Sequence, residues 1–500
     1  MSRVNPLQGR ELCADSRQKF GHWTGAKQVR EVESGTLQQA NHAHGHHPTL
    51  SSRVTEPVSY ARRVGAFSAT MMVVGGIIGS GIFLNPAIVA QRVGSPVLIM
   101  SAWAVGAAVA LLGAFVFAEL GQRMPATGGG YVYLRETFGR LPAFLYGWAL
   151  LLAIATGAMA AVAVTFARYA APLFGLGPEA HTPLAAGAIV LLTIVNAVGV
   201  RLGAATQNVF TVLKLGALAA LIVAGAASLG MFAGLPTVEA VNHVHPSGFS
   251  GVVAAMGTAL VPVLFSYGGF QQTNFVAEEI IEPEKNLPRA LVVGVAIVAV
   301  TYLLANATYL HTLGVSGLAG SSAPAADVMA LRFGDTGRNL IAAGIAISTF
   351  GFLNLVILVT PRVYQAMAKD GLFFRRLADL SPRYRTPVAA LGLQGGWAIV
   401  LLLSGSYGAL LDWVTFADWI FFGATAACLF VVRNRDRDGN PSRGYRVPFY
   451  PWSVIVFILA AAYVVAGSVI SNPMNALRGA LVLGAGIPVY RIWARNAPRA

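Results

Sequence analysis

The chain has 500 residues, of which 55% are hydrophobic and 11% are charged, whereas roughly 25% of the residues in a soluble domain are charged. Its net charge of +14 comes from basic residues that lie between long apolar runs. No zinc-finger spacing or basic helix accompanies them, so the sequence predicts no nucleic-acid binding. Cys13 and Cys428 are the two cysteines, which excludes a disulfide framework and a cysteine metal site.

The first segment of the chain, 1–63, is polar and shows no sustained apolar period, so it predicts a disordered tail. Its four clustered histidines could in principle bind a metal, but a solvated low-complexity stretch is the simpler interpretation. We therefore predict no metal site and no cofactor. No signal-peptide core precedes the first apolar run, so we expect the first membrane span to direct insertion.

From Val64 onward, apolar segments of about 18–28 residues alternate with short polar stretches, which is the length that crosses a hydrocarbon core of ~30 Å. The pattern predicts an all-α polytopic membrane protein with a transporter domain at 64–493 and a short tail at 494–500. Its twelve predicted transmembrane helices lie near 65–91, 97–119, 141–170, 183–200, 206–231, 250–278, 290–313, 339–367, 388–404, 409–432, 451–470 and 476–492.

The distribution of lysine and arginine predicts the orientation of these helices. With an even number of spans, 29 of the 35 basic residues fall on the side of both termini, five fall on the other side, and Lys214 lies inside a span. The richest loops on the first side are 369–387 and 433–450. By the positive-inside rule, both termini are expected in the cytoplasm of a cell-membrane protein.

Two of the predicted spans contain glycine clusters. The first holds Gly75, Gly76, Gly79 and Gly81 within seven residues, and the sixth holds the glycine pair of Phe265–Gly269. Small residues at four-residue spacing would instead indicate close helix packing. The glycines are more crowded than that, which favours a helix break lining a cavity.

The two clusters occupy corresponding positions, since each lies in the first helix of a block of five. Paired interruptions of this kind are typical of inverted-repeat transporters with a binding site near the bilayer midplane. The repeats would cover about 64–231 and 250–432, leaving 451–492 as two accessory helices.

A break supplies the groups that a zwitterion needs. The start of the second half-helix offers free N–H groups to a carboxylate, and Ser80 and Gly81 fall there. The end of the first half-helix offers free carbonyls to an ammonium, and Ile77, Phe265 and Ser266 fall there.

One basic residue, Lys214, lies about eight residues inside the predicted fifth span, roughly 12 Å at 1.5 Å per residue. A lysine at that depth could snorkel to the interface. Intramembrane charges are, however, rare and usually functional. Its ammonium could replace a sodium ion, or it could exchange a proton, because burial favours the neutral amine.

These motifs resemble the amino acid–polyamine–organocation (APC) superfamily. The Lys214 segment looks like the fifth-helix motif of its L-type amino acid transporter branch. The resemblance runs from Val64 to the last span and rests on five segments: Gly75–Phe83, Glu119–Gly139, Phe210–Leu215, Phe265–Leu291 and Ser348–Gly371.

The resemblance implies a LeuT-type fold of ten helices in two inverted halves, plus two further helices. It implies that the substrate carboxylate meets the first-helix signature and that Lys214 replaces sodium near Ser348. The helix breaks and the resemblance together predict seven substrate-binding residues: Ile77, Gly79, Ser80, Gly81, Phe265, Ser266 and Gly268.

The sequence therefore predicts a sodium-independent secondary transporter of amino acids, coupled to protons or working by exchange. A polyamine or other organic-amine transporter of the same fold is the alternative, as is a receptor that does not transport. A membrane enzyme is disfavoured, because no nucleophile–base pair lies at membrane depth. The predicted partners are the substrate, the bilayer and, for coupling, protons; the sequence identifies no partner subunit.

The predicted orientation can be tested by cysteine labelling in a background in which Cys13 and Cys428 are replaced by serine. A membrane-impermeant reagent added outside intact cells should label single cysteines placed in 315–335 and miss those in 433–450. Permeabilised cells control for reactivity, and the reverse pattern would refute cytoplasmic termini.

Overall fold

A computed structural model describes residues 60–226, 248–404, 407–437, 444–471 and 473–496. The predicted tails, 1–63 and 494–500, lie mostly outside these residues. Of the first tail, Tyr60–Arg63 are described, and the Arg63 and Val64 amides both donate to the Glu279 carbonyl at 2.9 Å. The regular elements of the described residues are all helical.

The first half of the described chain forms eight α-helices. A π-helical turn, Leu150–Ile154, joins the fifth to the sixth, and two short 3-10 turns precede the seventh. The helices are α1 (Ala66–Ile77), α2 (Gly81–Val93), α3 (Pro96–Arg123), α4 (Gly130–Phe138), α5 (Arg140–Ala149), α6 (Ala155–Ala170), α7 (His181–Ala197) and α8 (Val200–Ala226).

The second half forms eight more α-helices. A ten-residue 3-10 helix, Phe270–Glu279, follows the first of them, and Arg375–Leu377 forms a short 3-10 turn. The helices are α9 (Gly248–Ser266), α10 (Pro283–Gly320), α11 (Pro324–Val359), α12 (Pro361–Lys369), α13 (Val388–Leu403), α14 (Tyr407–Arg437), α15 (Trp452–Ser471) and α16 (Pro473–Asn496).

Nine helical stretches within the described residues are long and apolar enough to cross a membrane, and the bent pair α1–α2 makes up to ten. These coincide with ten of the twelve predicted spans. The two other predicted spans coincide with α13, an apolar helix of 16 residues, and with α16. The chain is therefore a polytopic helical membrane protein.

One region departs from the predicted spans. The eighth span was expected to begin near 339, but α11 begins at Pro324 and α10 continues to Gly320. Pro324 lies in the first turn of α11, where a backbone N–H would have no acceptor within the helix, so proline is tolerated there. The backbone is non-helical at Gly314 (φ 66°, ψ 178°) and Gly334 (φ 58°, ψ −141°), which interrupts both helices close to the predicted span limits of 313 and 339. The additional helix between these glycines therefore lies outside the two predicted spans.

Both predicted helix breaks are present. In the first, α1 ends at Ile77, Ile78 is extended (φ −74°, ψ 93°), and α2 leaves at a bend of 40°. In the second, α9 ends at Ser266, and the chain turns before the 3-10 helix. Val276 is non-helical (φ −109°, ψ 22°), so this 3-10 helix consists of two shorter pieces joined at a kink.

The glycines of the two breaks also serve close packing, so both interpretations of the clusters apply. A Cβ on Gly75 would lie 2.0 Å from Gln207 Nε2 of α8. A Cβ on Gly76 would lie 2.9 Å from the Gly269 carbonyl oxygen, and one on Gly269 would lie 2.1 Å from the Gly76 oxygen. The two interrupted segments therefore touch backbone to backbone.

Large apolar side chains are exposed on the outer surface of the bundle, and a smaller set of polar side chains is buried inside it among the apolar core. Phe249 and Ile470 are 87% and 81% exposed, as expected of side chains that face lipid. Inside, Asn196 donates to Asn354, and Asn354 donates to Gln207. This hydrogen-bonded network joins α7, α11 and α8 behind the first break.

We expect Gly269→Ala to destabilise the fold by about 1–3 kcal/mol, because a Cβ would meet the α1 backbone and Gly269 is left-handed (φ 101°). Thermal unfolding in detergent would measure the change. Gly216→Ala in α8 is the matched control, since no heavy atom lies within 4 Å of its added Cβ. Equal unfolding midpoints for the two variants would contradict the close approach.

Candidate functional site

A cavity of about 270 Å³, which we call the central cavity, lies where the two breaks face each other. The structure places all seven residues predicted to bind substrate in its wall: Ile77, Gly79, Ser80, Gly81, Phe265, Ser266 and Gly268. They come from two segments about 190 residues apart in the sequence, and the backbone contact between Gly76 and Gly269 brings them together.

Three further helical regions complete the wall of the central cavity. The π-helical turn and α6 contribute mainly small and aliphatic side chains, and a π turn of this kind often marks a functional site. Phe352 and Val356 come from α11, and Trp419 and Phe422 come from α14. The cavity is therefore apolar over most of its surface, and its polar groups lie at the breaks and at a few positions on the other helices.

The N-terminal end of α2 is the donor side of the central cavity. Because the helix begins at Gly81, its first N–H groups have no acceptor within the helix, and the helix dipole adds positive potential there. Ser80 lies immediately before this end, and both residues line the cavity. This end suits a carboxylate.

The carbonyl ends of α1 and α9 form the acceptor side. The Tyr302 hydroxyl of α10 lies 3.2 Å from the Ile77 oxygen and 3.3 Å from the Ser266 oxygen. A hydroxyl has one proton to donate, and each carbonyl has two lone pairs, so acceptor capacity remains for a ligand. The sequence does not single out Tyr302, because nothing in its local pattern indicates that it joins the two breaks.

Lys214 is fully buried and lies behind the first break, outside the cavity wall. Its Nζ donates to the Ile78 oxygen at 2.7 Å and to the Gly75 oxygen at 3.2 Å. This geometry excludes the alternative that Lys214 snorkels to the interface. Gly351 of α11 makes room for it, since a Cβ there would lie 3.3 Å from Lys214 Cε.

Ser348 is also fully buried and contacts the same break. Its hydroxyl lies 3.2 Å from the Gly79 oxygen and 3.4 Å from the Ile78 oxygen. The structure thus brings Lys214 and Ser348 together on the Ile78 carbonyl. Both hold the unwound segment from behind, while its other face lines the central cavity.

Asp418 of α14 lines the central cavity as well. Asp418 is not among the predicted site residues, because α14 is distant in sequence from both breaks but reaches the cavity in the fold. A signal was available: like Lys214, Asp418 is an ionisable residue inside a predicted span, and such residues are functional candidates by default.

Many apolar helices long enough to cross a membrane, with a cavity between two facing helix breaks, are typical of membrane transporters. The chain belongs to the amino acid permease family, whose model matches residues 64–485. This match and the relatives described next confirm the predicted membership of the APC superfamily and of its L-type branch.

Curated relatives cover most of the chain. The serine/threonine exchanger SteT of Bacillus subtilis (strain 168) is 31% identical over 439 residues, which are 87% of this chain and 98% of that protein. The b(0,+)-type amino acid transporter 1 of Mus musculus is 34% identical over 83% of this chain and 84% of its own. The large neutral amino acids transporter small subunit 2 of Rattus norvegicus is 32% identical over 92% and 87%.

We expect Gly79→Val to remove amino-acid binding and to preserve the fold. A Cβ on Gly79 would lie 3.5 Å from the Phe352 ring, an ordinary contact, so the larger side chain would fill the cavity. Gly81 is a poorer probe, because its Cβ would lie 3.2 Å from Ser266 Cα and would push the two breaks apart.

The measurement is the thermal shift caused by serine, leucine and lysine in detergent. A bound amino acid at a hundredfold excess over Kd stabilises by about 2.7 kcal/mol, and Gly79→Val should lose this shift. Gly396→Val in α13 is the control, since its added Cβ has no heavy atom within 4 Å. A full shift in Gly79→Val would show that the ligand binds elsewhere.

Proposed function

We propose that the protein carries amino acids across the cell membrane by alternating access and without sodium. The observation that carries this proposal is the central cavity, because one wall joins the donor end of α2 to the acceptor ends of α1 and α9. Membership of the amino acid permease family supports the substrate class.

We propose a LeuT-type architecture of twelve transmembrane helices with both termini in the cytoplasm. The inverted repeats cover about 64–231 and 250–432, and 451–492 forms the accessory pair. The support is that one repeat opens with the α1–α2 break and the other with the break after α9, at corresponding positions.

The substrate carboxylate binds the first amides of α2, beside Ser80 and Gly81, where the helix dipole favours an anion. The α-ammonium binds the carbonyls of Ile77 and Ser266, with Phe265 and Gly268 beside it. A polyamine has no carboxylate for the α2 amides, so the donor side favours amino acids over the organic-amine alternative.

Lys214 carries the coupling function together with Ser348. Its ammonium stands where a cation is needed to hold the carbonyls of the unwound segment, which removes the need for sodium. If it stays charged throughout the cycle, transport is exchange, the activity for which the Bacillus relative is named. If it loses and regains its proton, uptake is coupled to the proton gradient.

Uptake into proteoliposomes separates the two couplings. With an imposed inward proton gradient and no internal amino acid, uptake that rises with the gradient shows proton coupling. Uptake that requires internal amino acid, whatever the gradient, shows exchange. Sodium should change neither rate, and strict sodium dependence would refute the role of Lys214.

Lys214→Ala should impair transport in either coupling mode, because the Gly75 and Ile78 carbonyls lose their donor. Lys285→Ala is the matched control, since Lys285 is an exposed residue paired with Glu282 at 2.8 Å. Normal transport by Lys214→Ala would remove Lys214 from the mechanism.

A further inference from the structure

Asp418 brings a carboxylate to the wall of the central cavity. It lies in α14 next to Trp419, and Trp419 and Phe422 line the same cavity. The rings of Trp419 and Phe422 pack edge to face, with centroids 5.2 Å apart. The acid therefore stands at an aromatic part of the wall, contributed by a different helix from the two breaks.

The charge of Asp418 has no compensating cation in the part of the chain that the structure describes. No lysine, arginine or histidine lines the central cavity, and no ion pair among the described residues includes Asp418. Its Oδ1 is buried and has no hydrogen-bond partner. An uncompensated carboxylate in an apolar cavity is unfavourable, and either a bound proton or a cationic partner removes this cost.

Two other buried acids show the contrast. Glu119 pairs with Arg123 at 2.7 Å and with Arg433 at 2.5 Å, and Glu279 pairs with Arg362 at 2.8 Å. Both glutamates are fully buried, and both have their cation in the fold. Asp418 differs in that its open neighbour is the cavity itself, so the ligand is the available source of its cation.

The binding mode in the proposed function gives the negative charge of Asp418 no partner. The α2 amides take the carboxylate, and the carbonyls of Ile77 and Ser266 take the α-ammonium, so a zwitterion leaves Asp418 unpaired. A ligand with one further positive charge neutralises the cavity. Aromatic rings favour a cation beside them, which fits the position of Trp419 and Phe422.

We propose that Asp418 binds the side-chain cation of a dibasic amino acid and that it sets a preference for substrates of net charge +1. This inference rests on the proposed transport function and adds the substrate class. Asp418 acts as a charged hydrogen-bond acceptor for the distal ammonium or guanidinium, at the far end of the ligand from the two breaks.

The test compares uptake of labelled lysine, ornithine, leucine and serine into proteoliposomes for the wild type, Asp418→Asn and Asp418→Glu. Asp418→Asn keeps the side-chain shape and should lower lysine and ornithine uptake about 10- to 100-fold, the range of a charge-assisted hydrogen bond. Leucine and serine uptake should stay within about threefold of the wild-type rate. Asp418→Glu keeps the charge and should retain lysine uptake above that of Asp418→Asn.

Thermal shifts with lysine give a second readout that does not depend on turnover: lysine should stabilise the wild type and not Asp418→Asn. Asp335→Asn controls for loss of an acid elsewhere, since Asp335 is 91% exposed and pairs with Arg338. It should behave as the wild type in both assays, and loss of lysine uptake in this control would overturn the assignment to Asp418.

The outcomes separate the two levels of the proposal. Transport of neutral amino acids with no lysine uptake or binding by the wild type overturns the inference and leaves the proposed function standing. The inference would also be overturned if Asp418→Asn lost both leucine uptake and the dependence of uptake on the proton gradient, because Asp418 would then act as a proton carrier. Absence of any amino-acid uptake by the wild type would instead contradict the proposed function.

Discussion

The hydrogen bonds from Lys214 to the first break are the interaction on which the site depends. Unwinding the chain at Ile78 frees carbonyl groups in an interior without water, where each unpaired polar group costs about 1–3 kcal/mol. Lys214 Nζ donates hydrogen bonds to the Ile78 and Gly75 oxygens, and the Ser348 hydroxyl donates to the Gly79 oxygen of the same segment. The unwound shape is therefore held by protein groups before any ligand enters.

This arrangement divides the unwound segment into two faces. The face towards α8 and α11 is satisfied by side chains and packed closely, with Gly75 against Gln207 and Gly351 against Lys214. The face towards the central cavity keeps the amides at the start of α2 and a share of the Ile77 lone pairs for a ligand. Because the rear face is satisfied and rigid, the front face can present its groups with little reorganisation on binding.

The sequence predicts much of this site because its main signals are local. Glycine crowding marks both breaks, and the depth of Lys214 in its span marks a buried charge. The local sequence does not indicate Tyr302, because its contact with both breaks arises only in three dimensions. The depth of Asp418 in its span was a local signal, but its place in the cavity wall also arises only in the fold. The local sequence also does not indicate the helical segments between Gly314 and Gly334. A stretch of mixed composition predicts a loop, yet Pro324 begins a helix there.

The positions of Lys214 and Asp418 also distribute charge across the cavity. Lys214 lies behind the first break, on the Gly75 and Ile78 carbonyls. In the proposed binding mode, the positive field of a charged Lys214 opposes a substrate ammonium at Ile77 and favours the carboxylate at α2. Asp418 stands in the wall contributed by α14 and acts in the opposite sense. A ligand with its carboxylate at the break and its second cation at Asp418 satisfies both fields. In the proposed binding mode, backbone groups recognise the part common to all amino acids, while one side chain selects among them by charge.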